Sequence, residues 1–140
     1  MEKKLIGFLI KKGNKTAALE IFNKICNKIA ITIPVISLSY FFSLFFIKLN
    51  TNIEIRKVSF RKRVHFIPTA IKTSRKSFVV FKWIRQVIDS NKQNVPFYNK
   101  LYNELVAVVF TENSSPLMKL KLDNELKAYQ YKSKAHFRWN

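Results

Sequence analysis

A mainly α-helical bundle of about six helices with one protruding β-hairpin is the fold class that this 140-residue chain predicts. Three observations carry it. Apolar residues recur at helical spacing over most of the length, the period changes to two between Ile53 and Ile67, and Gly13, Pro34, Pro68, Pro96 and Pro116 fall between the patterned stretches. The apolar share of 48 % is enough for a core, and at this length one domain spanning residues 1–140 is expected.

Leu5, Ile6, Phe8, Leu9 and Ile10 lie between lysines and predict a first helix over residues 1–12. Gly13 can close it and Asn14 can cap the next. That second helix places Ala18, Ile21, Phe22, Ile25 and Ile29 on one face and Asn23, Lys24, Asn27 and Lys28 on the other. From Ile29 to Ile47 no charged residue occurs, which is the length of a membrane span. Pro34 and the hydroxyls of Thr32, Ser37, Ser39 and Ser43 argue instead for a helix ending before Pro34 and a buried helix over Leu38 to Leu49. Ile53 to Ile67 alternates as a hairpin whose tip and one face carry Arg56, Lys57, Arg61, Lys62, Arg63 and His65, with Pro68 ending the second arm. Thr73 or Ser74 can cap a helix that buries Val80, Phe81, Ile84, Val87 and Ile88, with Lys76, Lys82 and Arg85 outside and Trp83 as a packing residue. Pro96 suits the first turn of a helix carrying Tyr98, Leu101, Leu105, Val108 and Val109. After a loop over Thr111 to Pro116, a last helix runs through Leu120, Leu122 and Leu126.

Charge narrows the function. Twenty-six Lys and Arg against eight Asp and Glu give a formal charge of +18, which points to a polyanionic partner, nucleic acid or an anionic membrane face. The end of the chain is the densest instance. Lys127, Lys132, Lys134, His136 and Arg138 stand among Tyr129, Tyr131, Phe137 and Trp139 with no acid, a composition suited to RNA because cations meet phosphates while rings stack on exposed bases. The single Cys26 excludes an intrachain disulfide and reads as a small buried apolar residue. His65 and His136 are too isolated to predict a metal site, and Glu104 with Glu112 reads as solvated or ion-paired surface rather than acid–base machinery. No phosphate loop or nucleophile elbow is present, so the chain reads as a non-enzyme with no cofactor and no small-molecule substrate.

Four pieces in order resemble one family. Ala135-His136-Phe137-Arg138-Trp139 is similar to the Ala-His-Tyr-Arg-Trp ending of the bacterial-type ribosomal protein seven of the small subunit. Lys11-Lys12-Gly13-Asn14-Lys15-Thr16-Ala17 resembles that family's basic Gly-Lys turn, Ile53-Glu54-Ile55-Arg56 its approach to the hairpin, and Arg75 to Trp83 its Arg-rich helix. The chain departs from the family at the tip, where Arg61-Lys62 stands for paired glycines. The resemblance implies a helical bundle with a protruding hairpin bound to rRNA of the small-subunit head, the 3′ major domain, beside other head proteins, with the hairpin near the mRNA exit path and the exit-site tRNA. Mapped residue by residue it implies rRNA contacts from Lys11, Lys12, Lys15, Arg56, Lys57, Arg75, Lys76, Lys82, His136, Arg138 and Trp139. Charge alone adds Arg61, Lys62, Arg63, His65, Lys132 and Lys134. The resemblance begins almost at Met1, leaving no room for a cleaved leader, and the richness in Lys, Asn, Ile and Phe suits an A+T-biased organellar gene. A mitochondrial ribosome is expected over a plastid one on the chain's divergence from the family alone. The rivals are a membrane-anchored protein with a span over 29–47 and a nucleoid DNA-binding protein.

Overall fold

Pro34 divides the uncharged stretch, because its ring cannot continue a helix. In the computed structural model, which describes residues 2–60, 62–111 and 115–139, a helix stops at Thr32 and the next begins at Leu38. The order is α1 (Glu2–Leu9), α2 (Lys15–Thr32), α3 (Leu38–Leu49), β1 (Ile53–Phe60), β2 (Arg63–Ala70), α4 (Thr73–Ser90), α5 (Phe97–Phe110), α6 (Pro116–Gln130) and a terminal 3-10 helix, Lys132–Trp139. The mainly helical architecture with one antiparallel hairpin is the one the sequence predicts. Among the described residues no helix is long and apolar enough to cross a membrane.

α3 lies at the centre and touches α2, α4, α5 and α6. Phe41, Phe45 and Leu49 are fully buried on it. Each such side chain contributes roughly 1.5–3 kcal/mol by leaving water. Phe42 stacks on Phe22 of α2 and Phe46 meets Phe81 of α4 edge-on, 5.5 Å between centroids. Phe8 of α1 stacks on the other side of the helix bundle's aromatic seam, 5.2 Å from Phe81. Trp83 is buried, as a packing residue should be, and Cys26 is half-buried against the same core.

Lysines tie helices together as well as charging the surface. Lys28 Nζ donates to Asn99 Oδ1 (2.8 Å), Lys48 Nζ to the Val109 carbonyl (2.6 Å) and Lys121 Nζ to the Lys48 carbonyl (2.7 Å). The last two meet carbonyls at the C-terminal ends of α5 and α3, which have no further turn to bond to and carry partial negative charge.

Several expectations change. Gly13 does not close α1; it occupies a two-residue turn in which Lys12 (φ 52°) and Gly13 (φ 78°) are both left-handed and Asn14 N donates to Lys11 O (3.0 Å). Asn14 Oδ1 then caps α2 by accepting from Ala17 N, as the sequence predicts. α4 starts after Lys72, not after a hydroxyl cap, so Thr73 and Ser74 lie inside its first turn. β2 runs through Pro68 to Ala70 instead of ending at the proline. Ile71 N donates to Asn52 O (3.0 Å), so alternation along the ladder puts the Ile55 and Pro68 pair at a site where neither residue bonds across. The missing N–H of Pro68 therefore faces the open edge, where no ladder bond is lost. Leu122 and Leu126 lie on the exposed side of α6, because β1 and the other helices cover its Leu117 and Ala128 face.

Candidate nucleic-acid interface

The hairpin sorts its cations by the period of two that built it. Glu54, Arg56 and Val58 point to one face with Thr69, Ile67 and His65; Ile55, Lys57 and Ser59 point to the other with Pro68, Phe66 and Val64. Arg56 and Lys57 are thus on opposite faces, and a single basic face joining them is ruled out by their adjacency. Phe60 pairs with Arg63, leaving a two-residue tip in which Lys62 takes φ 64°, the left-handed conformation that the family's glycines would reach without cost. Arg61 lies outside the described residues.

On the Lys57 face the terminal 3-10 helix packs against β2. Lys57 Nζ lies 5.6 Å from the Phe66 ring centre, Phe66 stacks on Tyr131 at 5.6 Å, and Lys134 Nζ lies 5.1 Å from Tyr131. The result is a cation, ring, ring, cation column that fixes the chain end to the hairpin. Lys132 is exposed beside it, and His136 Nδ1 is 2.8 Å from the Ser133 carbonyl. The side chains of Arg138 and Trp139 lie outside the described residues.

The other face is tied to α4. Arg75 donates twice to Glu54, Nε to Oε2 at 2.7 Å and Nη2 to Oε1 at 2.8 Å, while Arg56 Nε is 3.8 Å from Oε2. The Arg75 hydrogen bonds hold the Glu54 carboxyl below the usual carboxylate range against the opposing pull of burial, with help from the charges of Arg75, Arg56 and Lys82, and the same pairing raises Arg75. Lys76 Nζ donates to Asn52 Oδ1 (2.6 Å). Arg75 and Lys76, both candidate rRNA contacts, are therefore also struts at the hairpin base.

From that base a furrow follows the seam of α1 and α4. Its parts share Lys4, Phe8 and Arg85, and they run from Lys76 past Lys82 to Lys11. Lys11 Nζ sits 4.9 Å from the Phe97 ring centre, and Lys12 and Lys15 are exposed on the turn and at the start of α2. Lys11, Arg75, Lys76 and Lys82 thus share one side of the molecule, whereas Lys57, Lys132 and Lys134 gather on the terminal-helix side of the hairpin. Sequence reasoning passed over Lys4, Phe78 and Arg85 as site residues. Positions 75, 78, 82 and 85 share one face of α4, a spacing that signals the stripe once the other face is known to be buried.

Glu104 is not the solvated or ion-paired surface residue expected. It is half-buried with Oε2 shut away from water and accepting no hydrogen bond among the described residues. Burial pushes its carboxyl up; the Ser115 hydroxyl is near enough to oppose the shift but does not meet hydrogen-bond geometry with it. Glu112 lies outside the described residues.

A hairpin on a helical bundle, with cations and rings along its arms and base, accords with one comparison. The sequence model of the family described as ribosomal protein S7p/S5e matches residues 1–132. The chain belongs to that family. Members of the ribosomal S7 family are structural proteins of the small subunit that bind its rRNA, and theirs is not an enzyme family. The matched stretch includes the turn, the hairpin and α4, and stops before Ala135 to Trp139, the ending that carries the strongest local resemblance. No individual curated protein matched the chain.

Proposed function

We propose that this S7-family protein serves the small subunit of a mitochondrial ribosome, binding the 3′ major domain of the rRNA in the head and supporting head assembly. The observation that carries the reading is the convergence of basic segments far apart in sequence onto the hairpin and the furrow at its base. The contacts we assign are phosphate contacts: Lys11, Lys12, Lys15, Lys76 and Lys82 along the furrow side, and Arg56, Lys57, Arg61, Lys62, Arg63 and His65 on the hairpin. Lys132, Lys134, His136, Arg138 and Trp139 act at the terminal helix, and Arg75 acts while braced on Glu54. The hairpin tip reaches toward mRNA and exit-site tRNA, with other head proteins alongside. Recognition is by shape and counterion release, since cations on long side chains meet phosphates more readily than base edges. The organellar assignment rests on composition, rich in Lys, Asn, Ile and Phe.

The test is filter binding of the full chain to a 3′ major domain rRNA fragment across salt. With about six to ten phosphates engaged, affinity falls on the order of a thousandfold or more between 50 and 200 mM salt. A flat salt response contradicts the reading. In organelle extracts, comigration with small-subunit rRNA that survives DNase and collapses with RNase supports it over nucleoid DNA binding, and sedimentation away from mitochondrial ribosomes removes the organellar assignment.

A further inference from the structure

The widest part of the α1–α4 furrow is a groove of about 490 Å3 lined by Lys4, Phe8, Phe78, Phe81, Lys82 and Arg85, with two serines at its edge. Its floor is aromatic, Phe8 stacked on Phe81 with 15° between the ring planes. Phe78 stands at its side 57 % exposed, an unusual position for a phenylalanine on a helix that buries Val79, Val80 and Phe81 beside it. The guanidinium of Arg75 lies 5.4 Å from the centre of the Phe78 ring, held there by Glu54. The rim is positive. Lys4 Nζ approaches Ser77 Oγ at 3.4 Å and Lys82 is exposed; among the described acids Glu54 is bound by Arg75, and Asp89 reaches the rim cation Arg85 only through a loose, exposed contact of 3.7 Å that a phosphate can replace.

Resting on the rRNA reading above, we propose that this groove receives one unpaired nucleotide of the bound rRNA, its base stacked against Phe78 and its phosphate held by Lys82 and Arg85. The chemistry selects that occupant. A flat apolar recess large enough for a base, ringed by cations with no acid in its lining, suits a ligand that is planar at one end and anionic at the other. An apolar side chain from a protein neighbour would fill the recess but leave the cations unmatched, and a paired helix would meet the cations but leave Phe78 in water. The stack also explains the Arg75 placement: an Arg over a ring extends the flat surface and carries its own charge toward the phosphate.

The experiment compares the full-length wild-type chain with Phe78→Ala, Phe78→Leu, Phe78→Tyr and Lys82→Ala in binding to the 3′ major domain fragment over a salt series. Because Phe78 is mostly exposed, its replacement spares the core, and thermal melts of Phe78→Leu and Phe78→Tyr at the wild-type midpoint verify this. Phe78→Ala and Phe78→Leu are expected to bind about 10- to 100-fold more weakly, with the salt slope unchanged because no charge is lost, while Phe78→Tyr keeps the ring and the affinity. Lys82→Ala is expected to lower the slope by about one phosphate's share, roughly 0.7–0.9. Wild-type affinity in Phe78→Ala overturns the groove assignment and leaves the rRNA reading standing. Full affinity in Phe78→Leu beside a weak Phe78→Ala overturns stacking in favour of simple apolar filling. Failure of the wild type to bind the fragment overturns both readings together.

Discussion

α3 and the hairpin arm are both built on phenylalanine, but they hold its rings by different means. On α3, Phe41 and Phe45 have no exposure and meet mainly other apolar groups, so their position depends on excluded water and packing alone. On the arm, Phe66 is clasped between Lys57 and Tyr131, Tyr131 faces Lys134, and the base of the arm hangs on a carboxylate held by two hydrogen bonds from Arg75. The first region is insensitive to pH and salt. The second is held by charge and can be released by either, which lets the hairpin yield before the body does.

Breaking the core half of that contrast gives the largest effect. Phe45→Ala should cost about 3–5 kcal/mol in chemical denaturation, nearly the same at low and high salt. Removing the carboxylate comes next. Glu54→Gln should leave the global midpoint almost unmoved but raise amide exchange across β1 and β2 several-fold at neutral pH. The folded Glu54 carboxyl lies below its ordinary value, so its contribution is complete above the unfolded pKa and is lost as pH falls through the lower folded one. Hairpin protection factors in the wild type should therefore fall as pH drops below about 4, and Glu54→Gln should flatten that fall. Tyr131→Ala should loosen the same strands by about 1 kcal/mol of local opening, with Tyr131→Phe retaining protection because the ring face, not the hydroxyl, meets Phe66. The smallest change has the opposite sign. Lys62→Gly should stabilise the hairpin by roughly 0.5–1 kcal/mol, since glycine takes the left-handed tip conformation more cheaply, while lowering the salt slope of RNA binding.

What could be read in the sequence was whatever depends on neighbours along the chain. The break at Pro34, the start of α3 at Leu38, the Asn14 cap and the alternation from Ile53 follow from ring geometry, hydrogen-bond capacity and the period of a strand, and the structure keeps them. What could not be read depends on which face tertiary packing covers. Leu122 and Leu126 marked the last helix without saying which way it faces, and they are exposed because α6 turns Leu117 and Ala128 inward; Glu104 looked like surface and is half-buried. The site shows the same division. Its cations were visible as residue types, but composition could not reveal that Arg75 and Lys76 brace the hairpin, that Lys57 and Arg56 part to opposite faces, or that Phe78 stands in solvent.

Pro68 bears on the life of the chain before assembly. A two-stranded ribbon has two outer borders; α6 covers β1 at Ile53 through Asn124, and where the borders are not covered they invite a strand from another copy. On β2 the proline offers no donor to an incoming strand at its outward-facing position, and the neighbouring arm bristles with like charge from Arg56 and Lys57. A newly made molecule is thereby steered away from self-association, so that its finger is still solitary when ribosomal RNA arrives.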